Sequence, residues 1–167
     1  MMNRRISTRL NVPVHHLNCT TTASGVQSVE LLETALRWLA GSTAEIRTEK
    51  TTSYHGSNLH LLQMKLKRGS ARMFLSRLGR GVLEVLLAET GERIDETRNL
   101  HFRLLQEELV CGVILIADGA EDSVVVKISV KLEVYAGDDV QEVARRLLSE
   151  SLERSIRRGW GEGPPPP

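Results

Sequence analysis

The stretch EIRTEKTTSYHGSNLHLLQMKLK, residues 45–67, decides the fold. Its first part alternates Ile46, Thr48, Lys50 and Thr52 with Glu45, Arg47, Glu49 and Thr51. Period two with Thr and Ile enrichment favours a strand. Its last part alternates Leu62, Met64 and Leu66 with Gln63, Lys65 and Lys67, a second strand with one apolar face. Between them, Tyr54-His55-Gly56-Ser57-Asn58 is turn-forming, and Gly56 is the residue free to take positive φ. The two runs therefore read as a β-hairpin whose outer face carries Lys65 and Lys67.

Upstream, Leu10, Val12 and Val14 suggest a strand placed by Pro13 at an edge or bulge, since proline lacks a ladder donor. Ser24 followed by Gln27 has the form of a capping box. Val29, Leu32, Leu36 and Leu39 then recur at helical spacing until Gly41, predicting a helix over 25–40. His15 and His16 precede Cys19, but neighbouring strand residues point to opposite faces and could not easily share one metal ion.

Downstream, Met73, Phe74 and Leu78 mark a helix beginning near Ser70. Gly79 and Gly81 predict a break before Val82, Leu83, Val85 and Leu86 resume the pattern. Leu100, Phe102 and Leu104 predict a short strand, and 106–111 a single helical turn. Val113 to Ala117, continuously apolar, reads as a strand covered on both faces. Val124 to Val134 alternates strictly, with Lys127, Ser129 and Lys131 opposite the apolar set. Asp138 and Gln141 form a second capping box opening a last helix over about 138–158, where Arg154, Arg157 and Arg158 complement the carbonyl end of the dipole.

The chain has 167 residues, 41% hydrophobic and 26% charged, a composition that suits one globular domain. The expected organisation is a basic arm over 1–9 (Arg4, Arg5, Arg9), a single α+β domain over 10–158, and a disordered Gly/Pro tail over 159–167. The sheet is expected to be mostly antiparallel or mixed, with helices packed on one side. Net charge is +1, so the whole-molecule field selects no partner. Charge is uneven along the chain, however. Residues 43–80 carry eight basic and two acidic residues, a balance of +6, and residues 84–122 carry three basic and ten acidic, a balance of −7. If the fold separates these segments, the molecule has a basic side and an acidic side.

Cys19 and Cys111 form no disulfide framework and lack metal-ligand spacing, which implies a reduced compartment. No apolar run approaches the ~18 residues of a membrane span. A cytoplasmic protein without membrane contact is the expectation. No nucleophile, carboxylate pair or ligand cluster stands at a diagnostic spacing, so no enzyme activity, metal or cofactor is expected. Nucleic-acid binding needs cations along a face and gains from stacking aromatics. Aromatics make up only 4% of the chain, so phosphate and shape contacts are expected to dominate. The candidate RNA-binding set is Lys65, Lys67, Arg68 and Arg72, with Tyr54, His55 and Asn58 at the hairpin turn.

His55-Gly56 follows a strand rich in Glu and Thr. The apolar strand and a Phe74-Leu75 helix come next, then Arg93-Ile94-Asp95, Asn99-Leu100-His101-Phe102-Arg103-Leu104, Gln106 and Gly112. In this order the chain resembles an archaeal family of RNA-binding, exosome-associated domains whose fold is similar to ribosomal protein L5. The resemblance covers roughly Leu10 to Tyr135. Where the family has Asn-Pro directly after the glycine, this chain has Ser57-Asn58, which moves the Asn by one position. The resemblance implies an RNA-binding, non-catalytic protein without cofactor, associated with an RNA-processing complex such as the archaeal exosome. The alternative is a protein-interaction module or homodimer without nucleic-acid binding.

Overall fold

The computed structural model describes residues 12–25, 27–118 and 124–165. The basic arm over 1–9 therefore lies outside the described residues. The strands are β1 (Val14–Ser24), β2 (Ile46–Thr52), β3 (Asn58–Lys67), β4 (Asn99–Leu105) and β5 (Val125–Leu132). They form one antiparallel sheet in the order β2-β3-β1-β5-β4. The helices are α1 (Val29–Ala40), α2 (Arg68–Ser76), α3 (Arg80–Ala88), the short α4 (Gln106–Val110) and α5 (Val140–Arg157). The chain is a single α+β domain.

Alternation in the strands separates two faces of the sheet. Leu17, Cys19, Leu62, Met64, Leu66, Leu100, Phe102, Leu104, Val126, Ile128, Val130 and Leu132 all lie on one face and are buried. They join Leu32, Leu36 and Leu39 of α1, Phe74 and Leu75 of α2, Leu83 and Leu86 of α3, and Leu147 and Leu148 of α5 in one core. Burial of this apolar face is the main term holding the fold together, at about 25 cal/mol per Å² of surface removed from water. The opposite face carries no helix; it is polar or charged from Gln63 to Lys67 and from Lys127 to Lys131, and apolar only toward one end, at Leu59, Leu61, Leu105 and Val125.

The hairpin forms as the sequence predicts, with Gly56 at φ 82° and the Ser53 hydroxyl accepting from the Ser57 N–H at 3.0 Å. The break after α2 also forms, around Gly79 at φ 90°.

Several expectations need correction. Of the residues expected to form the first strand, Leu10 lies outside the described residues, and Val12 and Pro13 precede the strand. Val14 opens the eleven-residue β1, which lies in the middle of the sheet and not at its edge. The irregularity falls just after Pro13, where the register shifts between Val14 and His16. That irregularity turns the neighbouring imidazoles together, so His15 Nδ1 and His16 Nδ1 are 2.8 Å apart. α1 begins at Val29, not at 25, because the Ser28 side chain rather than Ser24 accepts from the helix, at Leu31 N–H. Ser24 and Gln27 instead close a turn, with the Ser24 N–H donating to Gln27 Oε1. Likewise Asp139, not Asp138, caps α5.

Residues 113–117 are not a doubly covered strand. Val113 and Leu115 are each 46% exposed, and the segment only borders β4, through Leu105 N–H to Leu115 O and Ala117 N–H to Arg103 O. The tail over 159–165 is not loose. The Arg80 N–H donates to Gly161 O, Trp38 Nε1 donates to Pro165 O, and Gly163 lies against Trp38 and Ile114. Glycine permits that approach: a Cβ on Gly79 would stand 2.9 Å from Gly163 N.

Candidate nucleic-acid interface

The register places the helix-free face residue by residue. Arg47 on β2 pairs with Gln63 on β3, Gln63 with Thr20 on β1, Thr20 with Lys127 on β5, and Lys127 with Arg103 on β4. The next row is Lys65, Asn18, Ser129 and His101, and the next Lys67, His16, Lys131 and Asn99. At about 4.8 Å between strands, the row from Arg47 to Arg103 spans about 19 Å. Six cations thus share one face, and Glu49 is the one carboxylate projecting from the strands on that side.

Among the described residues, Arg47, Lys65, Lys67, Arg103 and Lys127 have no ion-pair partner, whereas Lys131 donates to Thr97 O. Unpaired cations side by side repel one another, and the cost falls when an anion sits over them. His16, set between Lys67 and Lys131, has its pKa lowered, first by partial burial and then by Lys65, His15 and Lys131.

The face is concave at two places. One hollow of about 760 Å³ lies over Asn18, Thr20, Arg47, Gln63 and Lys65. A second, of about 370 Å³, lies over Arg93, Asp95, His101, Arg103 and Lys127. The second is walled by residues 93–95, which bond to the outer edge of β4 through His101 N–H to Arg93 O and Asp95 N–H to Asn99 O. Its rim holds the pair His101 Nε2 to Asp95 Oδ2 at 2.5 Å. Hydrogen bonds from His101, from the Asn99 N–H and from Thr97 hold the Asp95 carboxyl well below the usual carboxylate range. Cations and neutral donors outnumber carboxylates in both linings, which hold Glu45 in the first hollow and Glu92 and Asp95 in the second.

The residues expected from the sequence divide among three places. Lys65 and Lys67 project from this face. Arg68 follows at its corner, where β3 runs directly into α2 with Arg68 at φ 27°, and it pairs with Glu133 at 3.5 Å. Arg72 lies on α2, in the helical layer on the other side of the sheet. Tyr54, His55 and Asn58 stand at the hairpin tip, with Tyr54 99% exposed and its ring edge-on to His55. Asn58 and Lys67 are nine strand positions apart, about 30 Å.

Arg47, Arg103, Lys127 and Lys131 were missing from the expected set. Their parity within the strands was the available signal. The contrast between a basic segment and an acidic segment does not become two sides. Strand order interleaves them, and Arg103, from the acidic segment, stands in the same row as Arg47 from the basic one.

No helix among the described residues is long and apolar enough to cross a membrane. No group of three His, Cys, Asp or Glu side chains among them could hold a metal ion.

Residues 19–134 match the family described as RNA binding. The chain belongs to that family. The matched residues include every strand of the cationic face except the first part of β1. Among solved structures, this RNA-binding family member is similar to Mth689, a DUF54 protein from Methanothermobacter thermautotrophicus, at 26% identity and TM-score 0.63, covering 84% of this chain and 98% of that one. It is also similar to AF2318 from Archaeglobus fulgidus, of family DUF54, at 21% identity and TM-score 0.67, covering 80% and 99%. SSO0741 from Sulfolobus solfataricus shares the fold at 14% identity and TM-score 0.61, covering 81% and 98%. No curated protein matches the chain.

Proposed function

We propose that this protein binds RNA, without catalysis or cofactor, through the helix-free face of its sheet. The observation that carries the reading is the row Arg47–Gln63–Thr20–Lys127–Arg103, with Lys65, Lys67 and Lys131 beside it. Cations in this arrangement neutralise phosphates and release counterions. The interspersed Asn18, Thr20, Gln63 and Ser129 offer donors and acceptors to ribose 2′-hydroxyls. No Phe, Tyr or Trp projects from the face among the described residues, so it is no stacking platform for unpaired bases. A wide, shallow, polar surface suits the minor groove of structured, A-form RNA, which is recognised by shape and by 2′-hydroxyl and phosphate contacts. Tyr54, His55 and Asn58 at the hairpin tip add a contact beyond the face, Tyr54 being the stacking side chain.

The family resemblance extends the reading: an L5-like fold, residence in the cytoplasm, and association with an RNA-processing assembly such as the archaeal exosome. These rest on the resemblance alone. Binding of a labelled RNA hairpin, followed by anisotropy across a salt series, tests the central claim. We expect affinity to fall steeply with salt and to collapse in Arg47→Glu/Lys65→Glu/Lys127→Glu. Absence of binding at low salt to hairpin, duplex and single-stranded RNA alike would remove the reading.

A second reading, a protein-interaction or dimeric module, is favoured by a different surface. Leu31, Val110, Val113, Leu115 and Val124 are all more than a third exposed, and a hollow of about 350 Å³ lies between α1 and α4. β5 is hydrogen-bonded to β1 on one side and β4 on the other, so a partner would meet it through its face and not its edge. Sedimentation velocity showing a monomer at all concentrations would count against a homodimer.

A further inference from the structure

The helical layer holds a second concentration of positive charge, where α2 and α5 end side by side. Arg72 and Arg77 come from α2 and its C-cap, and Arg154, Arg157 and Arg158 from the last turn of α5. Contacts link Arg154 to α2 and Arg77 to Arg158, and Arg72 and Arg157 lie close enough to Arg154 to act on its charge. Arg154 Nη1 donates to Ser76 Oγ at 2.9 Å, and Ser76 Oγ donates to Arg72 O at 3.1 Å. Arg77 and Arg158 both place their guanidinium groups over the Trp160 ring, 5.8 Å and 5.1 Å from its centre.

Structural roles account for part of this charge. Each helix C-terminus carries roughly half a negative charge, so two ends offset about one of the five cations. Arg77 Nη1 donates to Leu39 O, which holds it against α1. The remainder is not compensated by carboxylates. Among the described residues none of the five has an ion-pair partner, although Arg37, Arg68, Arg80 and Arg93 each have one. Arg72 Nε is buried without a hydrogen-bond partner. The crowding registers in the ionisation: Arg154 is lowered by burial and then by Arg72, Arg157 and Arg158, with Glu150 the one carboxylate opposing them. Arg77 is lowered by burial and by Arg158.

We propose that the arginine cluster formed by Arg72, Arg77, Arg154, Arg157 and Arg158 is a second phosphate-binding site, which takes the backbone of a further RNA segment on the side away from the sheet face. Planar guanidinium groups bind phosphate oxygens in pairs, and a convergent set of them is the usual means of holding one. The site rests on the RNA-binding reading and extends it: the protein has two phosphate-binding faces and holds two stretches of a folded RNA.

Trp160 makes the test specific, since the guanidinium groups that would take the phosphate stack on its ring. The chain has two tryptophans, and Trp38→Phe leaves Trp160 as the sole reporter. A fluorescein-labelled RNA hairpin is titrated into this variant while label anisotropy and tryptophan emission are both followed. Emission is expected to change with binding, and to change also in the sheet variant Lys65→Gln/Lys127→Gln. The exposed pair Arg157→Gln/Arg158→Gln should weaken binding about tenfold and lower the slope of log affinity against log salt by roughly 1.5. Anisotropy that rises while Trp160 emission stays flat and the arginine pair binds like the parent would overturn this site and leave the sheet face standing. If no RNA binds, titration with inorganic pyrophosphate separates the two claims. A Trp160 response that the arginine pair abolishes keeps the anion site alone, and its absence overturns that as well.

Discussion

Lys127 on β5 stands directly opposite Arg103 on β4, so their side chains leave the same face of the sheet as neighbours. Like charges directly opposite in a sheet are destabilising, yet this pair forms at the β4 end of the densest row of cations. An anion over the row converts the cost into affinity. Arg103→Gln/Lys127→Gln is therefore expected to raise stability slightly, by a few tenths of a kcal/mol, and to weaken RNA binding. Each lost phosphate contact should lower the salt slope by about one. Denaturant midpoints and anisotropy on the same preparations check both signs. A variant that binds RNA with an unchanged salt slope removes this pair from the interface.

Tyr54 is 99% exposed and touches only its neighbour His55, so Tyr54→Ala should leave the melting temperature unchanged. Any effect on RNA is then a binding effect. We expect a loss of about 1–3 kcal/mol for an RNA whose loop reaches the hairpin tip, the usual worth of one base stacked on an aromatic ring. A blunt duplex without unpaired bases should bind the variant as it binds the parent. Equal losses for both RNAs would show that the side chain does not stack.

The strand pattern was readable wherever apolar residues alternate, as in Leu62, Met64 and Leu66 or Val126, Ile128 and Val130. It was not readable in β1, where Thr21 and Ala23 take core positions that Leu or Val would advertise. Thr21 can do so because Gln106, 2% exposed, meets it from α4. That partnership spans 85 residues and leaves no local trace. The interface was half visible for a related reason. Lys65 and Lys67 stand two apart in one strand, but Lys131 and Arg103 come to share their face only through the order β2-β3-β1-β5-β4. Composition also hides the contacts of residues 161–165, whose fit against Gly79, Trp38 and Ile114 depends on what lies opposite.

Gln106 gives a stability prediction. Its Nε2 donates to Thr21 Oγ1 at 2.7 Å and to Thr22 O at 2.8 Å, while its Oε1 accepts from Gln27 Nε2 at 2.8 Å. Gln106→Leu keeps most of the volume but leaves those partners unmatched inside the protein. A loss of about 1–3 kcal/mol is expected, lowering the melting temperature by roughly 2–4 °C per kcal/mol. RNA affinity should hold, because α4 lies away from the cationic face. A melting temperature equal to the parent's would mean that the network contributes nothing net.

The two cysteines should differ in reactivity. Cys19 is buried in the core, which pushes its thiol up to about 12, whereas Cys111 is exposed. Thiolate is the reacting form, so Cys19 is inert while the fold holds. A thiol reagent in excess at pH 8 should label one site per native chain, abolished by Cys111→Ser, and two in denaturant. Rapid labelling of two sites in the native protein would contradict the buried position of Cys19.

His16 makes RNA binding depend on pH. In the register it lies between Lys67 and Lys131, with Lys65 on the same strand as Lys67 and His15 beside it. Its pKa in the free protein lies below the ordinary 6.5, through burial first and then Lys65, His15 and Lys131. The unfolded chain then binds more protons at this site, so the stability tied to His16 is fully present above 6.5 and is lost as pH falls through the folded pKa. Phosphate over the lysines cancels their repulsion and raises the pKa again, so RNA binding takes up a proton. Affinity should therefore rise as pH falls from about 7.5 to 5.5, while the free fold weakens over the same interval. Asp95 does not contribute in this range. Its carboxyl is held below the ordinary 3.8, and the stability it supplies is lost only at lower pH still. Anisotropy titrations at fixed ionic strength, repeated with His16→Gln, provide the check: the variant should bind with a flatter pH profile, and an identical profile in both proteins would place the RNA phosphates away from His16.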